Sequence, residues 1–202
     1  NDFWRCAGRA GVGAVMGSKK LKAVVFTGEA RRGMADAKGL RAHAAAFAKT
    51  GVENKGVKAY KAYGTTMMVA LMNSAGAFPA KYWSQGSCEH WERISGETFH
   101  ATHEVKSHAC LKCFMGCGRM ATLKTGRHAG LTLEGPEYET IYAFGGLCMI
   151  KDMEEIVYLN DLCDRLGLDT ITAGNLVALV MDACERGRLD PRYGDFRYGD
   201  AD

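Results

Sequence analysis

Long apolar runs and concentrated charge of one sign are both absent from this sequence of 202 residues. A membrane-spanning helix needs about 18 or more consecutive apolar residues, and no segment reaches that length. The formal net charge is only +3 and no dense run of Lys or Arg is present, so a nucleic-acid-binding surface is not expected. A secretory signal peptide is also missing. We therefore expect a cytoplasmic protein that binds neither membrane nor nucleic acid.

The bulk composition is that of a globular protein. Hydrophobic residues make up 47% of the sequence and charged residues 24%, a balance that supports a hydrophobic core. The sequence begins with Asn1 instead of Met and runs directly into a glycine-rich segment. We therefore interpret it as an internal piece of a longer protein, with some functional partners elsewhere in the polypeptide.

Eight cysteines are the most distinctive part of the composition. Three of them, Cys110, Cys113 and Cys117, form the C-x2-C-x3-C run CLKCFMGC. Cysteines this close together, without a signal peptide, favour a metal or redox site in a reducing compartment over disulfides. The spacing lets several thiolates converge on one small object, which is typical of an iron–sulfur cluster. On spacing alone the fourth ligand is either Cys148 or a residue beyond 202.

Zinc is the main alternative for this run, because zinc sites also use C-x2-C spacing. Such a site needs further ligands, which His108, His128 or Cys148 could supply. A third cysteine three residues on is more typical of a cubane cluster than of a zinc knuckle. Lys112 and Arg119 would favour the anionic thiolates and could tune the potential of a cluster.

Hydrophobic periodicity predicts a mainly α-helical fold with a small β-containing N-terminal edge. Residues 1–18 are predicted to form a turn-rich loop, and the short β-branched run LKAVVFT at 21–27 a strand. Helices are predicted at 35–49, 65–73, 95–103, 152–166 and 170–186. Gly167 is predicted to end the helix before it, and Asp169 or Thr170 to cap the helix after it. The cysteine run is predicted to lie in a loop.

The glycine-rich loop at residues 8–17 could approach a phosphate closely, and Arg9 could bind that phosphate. The loop matches neither a Walker loop nor a dinucleotide-binding loop, since it precedes its predicted strand. Taken by itself, a tight structural turn is the simpler interpretation.

Two acidic segments are further candidates for catalytic or ligand-binding residues. Glu134, Glu137 and Glu139 precede an apolar stretch, where a carboxylate is a candidate general acid or base. A solvated helix N-terminus explains the same pattern. Asp164 and Asp169 flank a predicted helix junction and could accept hydrogen bonds from a heterocyclic ligand, although Asp169 is also explained as a helix cap.

Taken together, four segments resemble the tungsten-containing aldehyde:ferredoxin oxidoreductases in order and spacing. They are GRAGVGAVMGSKKLKAVV (8–25), CLKCFMGC (110–117), EGPEYET (134–140) and DRLGLDTITAGN (164–175). The resemblance implies a tungsten or molybdenum centre held by two pterin dithiolenes, with a 4Fe–4S cluster nearby. It also implies oxidation of a small aldehyde to a carboxylic acid, ferredoxin or a similar protein as electron acceptor, and assembly as a homodimer or larger complex.

The resemblance further assigns roles to residues. Cys110, Cys113 and Cys117 become three cluster ligands; the fourth comes from a later D-x-x-G-L-C-like motif, which disfavours Cys148. The residues implied for pterin binding are Asp164, Gly167, Leu168 and Asp169, and those implied for the pterin phosphates and their bridging magnesium are Arg9, Ala10 and Gly11. Glu139, with Glu137 second, becomes the glutamate near the metal, and the catalytic histidine is expected downstream of residue 202.

The implied organisation is the end of an N-terminal β-rich pterin-base domain at residues 1–30 and a truncated helical domain, binding cluster and pterin, at residues 31–202. Two alternatives stay open. One is a relative with the same cofactors that acts on another substrate, such as an aromatic acyl thioester. The other is a non-catalytic zinc-binding module.

Overall fold

The computed structural model of the chain describes residues 9–30 and 33–201. Over these residues the architecture is mainly helical, which confirms the mainly α part of the predicted fold class. The α-helices are α1 (Val12–Ser18), α2 (Ala37–Gly51), α3 (Lys55–Tyr63), α4 (Met68–Ser74), α5 (Gly96–Thr102), α6 (Tyr138–Thr140), α7 (Met153–Leu166) and α8 (Thr170–Glu185). Turns of 3-10 helix lie at Gly64–Met67, Trp91–Ile94 and Pro191–Tyr193, and a π-helix spans Ile141–Leu147.

A small antiparallel sheet interrupts the helices in the middle of the chain. Its strands are β1 (Glu104–His108), β2 (Gly118–Thr122) and β3 (Thr132–Glu134), in the spatial order β1-β2-β3. The central strand β2 is mostly buried, whereas β1 is increasingly exposed toward His108. The connection between β1 and β2 is the segment that carries the cysteine run.

The predicted N-terminal edge is wrong in two respects. Residues 12–18 form α1 instead of a loop, and residues 19–30, all described, contain neither helix nor strand. Val25 is 82% exposed and Phe26 is 91% exposed, so the β-branched run at 21–27 has no neighbouring strand among the described residues. A strand depends on hydrogen bonds to a neighbour. Within residues 9–30 and 33–201, the β structure therefore lies in the middle of the chain and not at the N-terminal side.

The predicted helices are confirmed within a few residues. Gly167 adopts the left-handed conformation, φ 72°, just after α7, a position that favours glycine. The Asp169 carboxylate accepts a hydrogen bond from the Thr172 backbone N–H at 2.9 Å and so caps α8. Ser95 caps α5 in the same way, accepting from the Thr98 N–H. These caps explain why the helices begin and end where the sequence indicated.

The π-helix forms the centre of the hydrophobic core. Six of its seven residues are buried, all except Tyr142. α8 packs so closely on it that a Cβ added at Gly174 would lie 2.7 Å from both Cβ and the carbonyl oxygen of Ala143. Around this contact lie Val69, Phe78, Ile94, Phe99, Leu133, Ile156 and Val157, each fully buried. Each large side chain buried in this way contributes about 1.5–3 kcal/mol to folding. No single helix among the described residues is long and apolar enough to cross a membrane.

Candidate functional site

The cysteine run lies in the loop of residues 109–117 between β1 and β2, as predicted. Cys110 and Cys113 are exposed and Cys117 is half-buried. The Cys113 N–H donates to the Cys110 carbonyl at 2.9 Å, which turns the first part of the loop. Ser107 Oγ donates to the Gly116 carbonyl at 2.7 Å, which ties the other end of the loop to β1. The two antiparallel strands thus hold all three thiols on one short connection.

The donor set of this loop is chemically suited to an iron–sulfur cluster, since the three cysteines are free thiols. In this conformation the sulfurs are not gathered, because no three His, Cys, Asp or Glu side chains of the described residues are arranged to hold a metal. Clusters of this kind usually take four thiolates. The loop therefore fits a cluster as an incomplete ligand set.

Two of the three alternative ligands considered for the run, Cys148 and His128, are engaged elsewhere. Cys148 is fully buried, and its thiol donates to the Gly174 carbonyl at 3.3 Å. Burial raises the pKa of Cys148 to about 12. His128 stacks on Tyr158 with ring centroids 4.0 Å apart, and its Nε2 lies 3.1 Å from a Glu155 carboxylate oxygen. Neither residue is directed toward the cysteine loop by these contacts.

The two candidate glutamates have different environments. Glu137 is half-buried and accepts a hydrogen bond from Thr65 Oγ1. The same Thr65 hydroxyl accepts a hydrogen bond from the Tyr138 N–H at 2.9 Å. Glu139 is exposed and lies on the turn of α6 that leads into the π-helix. π-Helices are rare and occur frequently at functional sites.

Three of the four segments singled out in the sequence meet around Tyr142. Arg9 Nε, from the glycine-rich loop, lies 3.8 Å from Asp169 Oδ2. Burial raises the pKa of Tyr142, the negative charges of Glu139 and Asp169 raise it further, and Arg9 opposes them. All three charged groups are therefore close enough to act on one phenol. The Thr140 and Thr170 hydroxyls, 2.9 Å apart, join the glutamate segment to the start of α8.

The remaining residues predicted to bind the pterins or their phosphates lie in two turns, the turn between α7 and α8 and the glycine-rich loop before α1. Asp164 accepts a hydrogen bond from Asn160 Nδ2 at 2.8 Å near the end of α7. The Leu168 N–H returns to the Cys163 carbonyl at 2.8 Å, which closes the turn after Gly167. In the glycine-rich loop, Ala10 and Gly11 both have positive φ, 61° and 71°. Consecutive left-handed residues turn the backbone sharply before α1.

Two aromatic residues of this region, Trp83 and Tyr142, were not predicted from the sequence. Trp83 Nε1 donates to Asn175 Oδ1 at 2.8 Å, and the Trp83 ring lies 6.4 Å from that of Tyr142. Tyr142 follows Glu139 by three residues, a spacing that places both on one side of a helix and could have indicated it. Trp83 comes from a distant irregular segment and carried no comparable signal.

A large cavity lies elsewhere. It measures about 860 Å³ and lies between α7, α8 and residues 195–201. Its lining is mainly apolar and, apart from the alternative zinc ligand His128, includes none of the predicted site residues. A large cavity by itself therefore does not identify the functional region.

The chain matches two family models along its length. The model "Aldehyde ferredoxin oxidoreductase, domains 2 & 3" matches residues 42–202. The model "Aldehyde ferredoxin oxidoreductase, N-terminal domain" matches residues 1–28.

Similar curated proteins come from Thermococcus and Pyrococcus species. A tungsten-containing aldehyde ferredoxin oxidoreductase of Thermococcus kodakarensis is 40% identical over 210 residues, covering 100% of this chain and 34% of that protein. The protein of the same description from Pyrococcus furiosus is 38% identical, with the same coverage. An aliphatic sulfonate oxidoreductase, WOR-like subunit, of Pyrococcus furiosus is 30% identical over 91% of this chain and 29% of that protein. The chain thus spans about a third of the length of these relatives.

Proposed function

Because this chain belongs to the aldehyde ferredoxin oxidoreductase family, we propose that it forms part of an enzyme that oxidises aldehydes to carboxylic acids at a tungsten–pterin centre. Cys110, Cys113 and Cys117 would hold part of a 4Fe–4S cluster, which would supply electron transfer toward ferredoxin or a similar acceptor. The observation that carries this proposal is the meeting of Arg9, Glu139 and Asp169 around Tyr142. Separate segments come together there as a shared cofactor site requires.

The pterin-bound metal, when present, supplies the redox chemistry, and the protein binds and orients it. The residues that would hold the pterins are Asp164, Gly167, Leu168 and Asp169, and those facing their phosphates and magnesium are Arg9, Ala10 and Gly11. Carboxylates accept hydrogen bonds from N–H groups of a pterin, and a guanidinium pairs with phosphate. Arg9 is 70% exposed on its side chain, so it can turn from Asp169 to an incoming phosphate.

Cys110, Cys113 and Cys117 would hold the cluster as thiolates. Their shared loop supports this role because its two ends are fixed by β1 and β2 while its sulfurs are exposed or half-buried. The fourth ligand would come from a residue outside the 202 of this chain. Cys148 does not suit that role, since its thiol is buried in the core.

Glu139 is the better of the two candidates for proton transfer. Its carboxylate is exposed, so it can take up or release a proton at Oε as substrate and water exchange. The Glu137 carboxylate is held by Thr65, which suits a group that fixes geometry. Tyr142, whose phenol is influenced by the charges of both Glu139 and Asp169, would limit access of water on that side.

Metal analysis and turnover test the proposal together. The complete metal-loaded protein is purified without oxygen, its tungsten, molybdenum, iron and zinc are measured by mass spectrometry, and aldehyde-dependent reduction of ferredoxin is followed. We expect tungsten or molybdenum with iron, and ferredoxin reduction that requires aldehyde. Zinc without the other metals would contradict the proposal and favour a zinc-binding module.

A second candidate differs only in substrate. The Pyrococcus furiosus relative described as an aliphatic sulfonate oxidoreductase, at 30% identity, favours a family member that acts on a compound other than an aldehyde. Comparing initial rates with aldehydes, aliphatic sulfonates and aromatic acyl thioesters separates the candidates. Turnover of a sulfonate or thioester without aldehyde oxidation would favour the second.

A further inference from the structure

Arg119, two residues after Cys117, carries a guanidinium inside the protein. The residue lies on β2 and is only 1% exposed. Its Nη2 donates to the carbonyls of Tyr60 and Lys61, the latter at 3.1 Å, near the C-terminal end of α3. A cation is favourable there because it interacts with the negative end of the helix dipole.

Capping α3 occupies only one of the three guanidinium nitrogens. Nε and Nη1 are buried and have no hydrogen-bond partner within residues 9–30 and 33–201. Each buried donor without a partner costs about 1–3 kcal/mol. A neutral side chain could cap α3 without that cost, so capping alone does not explain a guanidinium here.

The guanidinium adjoins the end of the cysteine loop. A Cβ built on Gly64, φ +66°, would lie 2.5 Å from the Cys117 carbonyl oxygen and 2.7 Å from Arg119 Nε. Both groups therefore pack against the same glycine. Lys112, the other cation beside the cysteines, is instead exposed, so water and salt screen its charge.

The carboxylate of Glu137 is tied to the same place. The residue after Gly64 is Thr65, whose hydroxyl donates to the Glu137 carboxylate. A guanidinium remains protonated in proteins. Gly64 and Thr65 thus bring a fixed buried cation and a carboxylate to the end of the cysteine loop.

We propose that Arg119 is a positioning residue that fixes the Cys117 end of the cysteine loop and, with Glu137 as its counter-charge, sets the reduction potential of the cluster. This inference rests on the proposed function, because it requires a cluster on the loop. Reduction adds one negative charge to a cluster. A buried cation stabilises that reduced state, and a half-buried carboxylate destabilises it, more strongly than fully exposed charges do.

Redox titration of the metal-loaded holoprotein, followed by the electron paramagnetic resonance signal of the reduced cluster, tests the inference. For Arg119→Gln we expect a more negative midpoint potential, and for Glu137→Gln a more positive one. Arg119→Lys keeps the charge and is expected to recover most of the wild-type potential. The control Arg93→Gln removes an exposed cation paired with Asp152 and is expected to leave the potential unchanged.

The opposite signs separate this role from a purely structural one, because simple loosening of the loop would not shift the two variants in opposite directions. If Arg119→Gln does not take up iron, the potentials of the Glu137→Gln and Arg119→Lys proteins test whether these two charges set the reduction potential. A loaded cluster with wild-type potential in Glu137→Gln, or shifts of the same sign in both glutamine variants, overturns the inference and leaves the proposed function intact. Absence of a cluster in the wild-type holoprotein overturns the proposed function itself.

Discussion

The Arg9 guanidinium lies 3.8 Å from the carboxylate of Asp169, although the two residues belong to opposite ends of the chain. Asp169 at the same time caps α8, accepting from the Thr172 N–H at 2.9 Å and from its hydroxyl at 2.7 Å. The Asp169 carboxylate therefore caps the start of α8 and also pairs with the positive charge of Arg9 in the glycine-rich loop. These two contributions can be separated by substitution.

Asp169→Ala removes the cap as well as the charge, whereas Asp169→Asn keeps an acceptor for the cap. We expect the alanine variant to lose about 1 kcal/mol of unfolding free energy and the asparagine variant distinctly less. Both should bind less pterin, measured by fluorescence after oxidative release. Urea denaturation gives the stability of each.

The control is Asp36→Ala, which removes the cap of α2, a bond from the Gly39 N–H of 2.7 Å. It should lose similar stability but keep its pterin. Equal destabilisation by Asp169→Asn and Asp169→Ala would contradict the separation of the two roles.

Cys113→Ser should lower iron content and bleach the broad visible absorption of the holoprotein, because a serine oxygen is a poorer cluster ligand than a thiolate. Cys184→Ser is the matched control, since Cys184 is a half-buried free thiol of α8 outside the cysteine run. Iron analysis and the absorption spectrum of both variants check the expectation. Unchanged iron in Cys113→Ser would remove Cys113 from the ligand set.

Gly174→Ala tests the contact between α8 and the π-helix. The added methyl would lie 2.7 Å from the Ala143 carbonyl oxygen. The buried backbone at Ala143 can move away only at a cost in folding free energy. Overpacking of this kind costs about 1–3 kcal/mol, which thermal and urea unfolding would register. In Gly13→Ala the methyl meets nothing within 4 Å, so the helix preference of alanine should leave stability unchanged or slightly higher. Equal stability of the two variants would argue against the close packing.

The helices α7 and α8 were predictable because their local signals agree with one another, whereas α1 and α3 were not predicted. In α7 and α8 the apolar spacing, the glycine at 167 and the capping Asp169 all indicate the same boundaries, and the structure has them there. The run at 21–27 has strand-like composition only, and composition cannot supply a neighbouring strand. Conversely, β1 and β2, EVKSH and GRMAT, are short and polar, so pairing across the cysteine loop left no periodic signal.

The candidate site could be proposed from the sequence as a set of residues, but its arrangement could not. Local spacing indicated the cysteine run, and the resemblance carried by four segments indicated the other candidate residues. Nothing in the sequence shows that Arg9 reaches Asp169, or that Arg119 is buried beside Gly64, because both contacts depend on how distant elements pack. Trp83 lies beside Tyr142 for the same reason.

His103 should make stability decline as the pH falls through about 6.5, the pKa of an unfolded histidine. Its side chain is 1% exposed and lies 3.8 Å from Glu154, and Nδ1 accepts from the Lys124 N–H at 3.3 Å. Burial lowers the pKa of His103, while Glu154 opposes the shift. Below a pH of about 6.5 the unfolded chain therefore binds a proton at His103 more readily than the folded chain does. Stability is therefore full above that pH and declines as pH falls through it.

His103→Asn should flatten this dependence, because asparagine keeps an acceptor oxygen but does not titrate. The slope removed is at most about 1.4 kcal/mol per pH unit for one group. His43→Asn alters an exposed histidine on α2 and is expected to leave the slope as it is. Urea midpoints measured across the pH range provide the comparison, and an identical slope in His103→Asn and wild type would exclude His103 as the source.

Glu139→Gln should keep normal tungsten and iron but turn over slowly. The amide is close to isosteric with the carboxylate, and Glu139 is exposed, so folding and cofactor binding should tolerate the change. An amide cannot exchange a proton as a carboxylate does, and loss of such a group typically costs about 10²–10⁴-fold in rate. The measurement is kcat for aldehyde oxidation per bound tungsten. Glu97→Gln, in the first turn of α5, is the control and should match wild type. Full activity of Glu139→Gln at normal metal content would contradict the proposed proton-transfer role of Glu139 and leave Glu137 as the candidate.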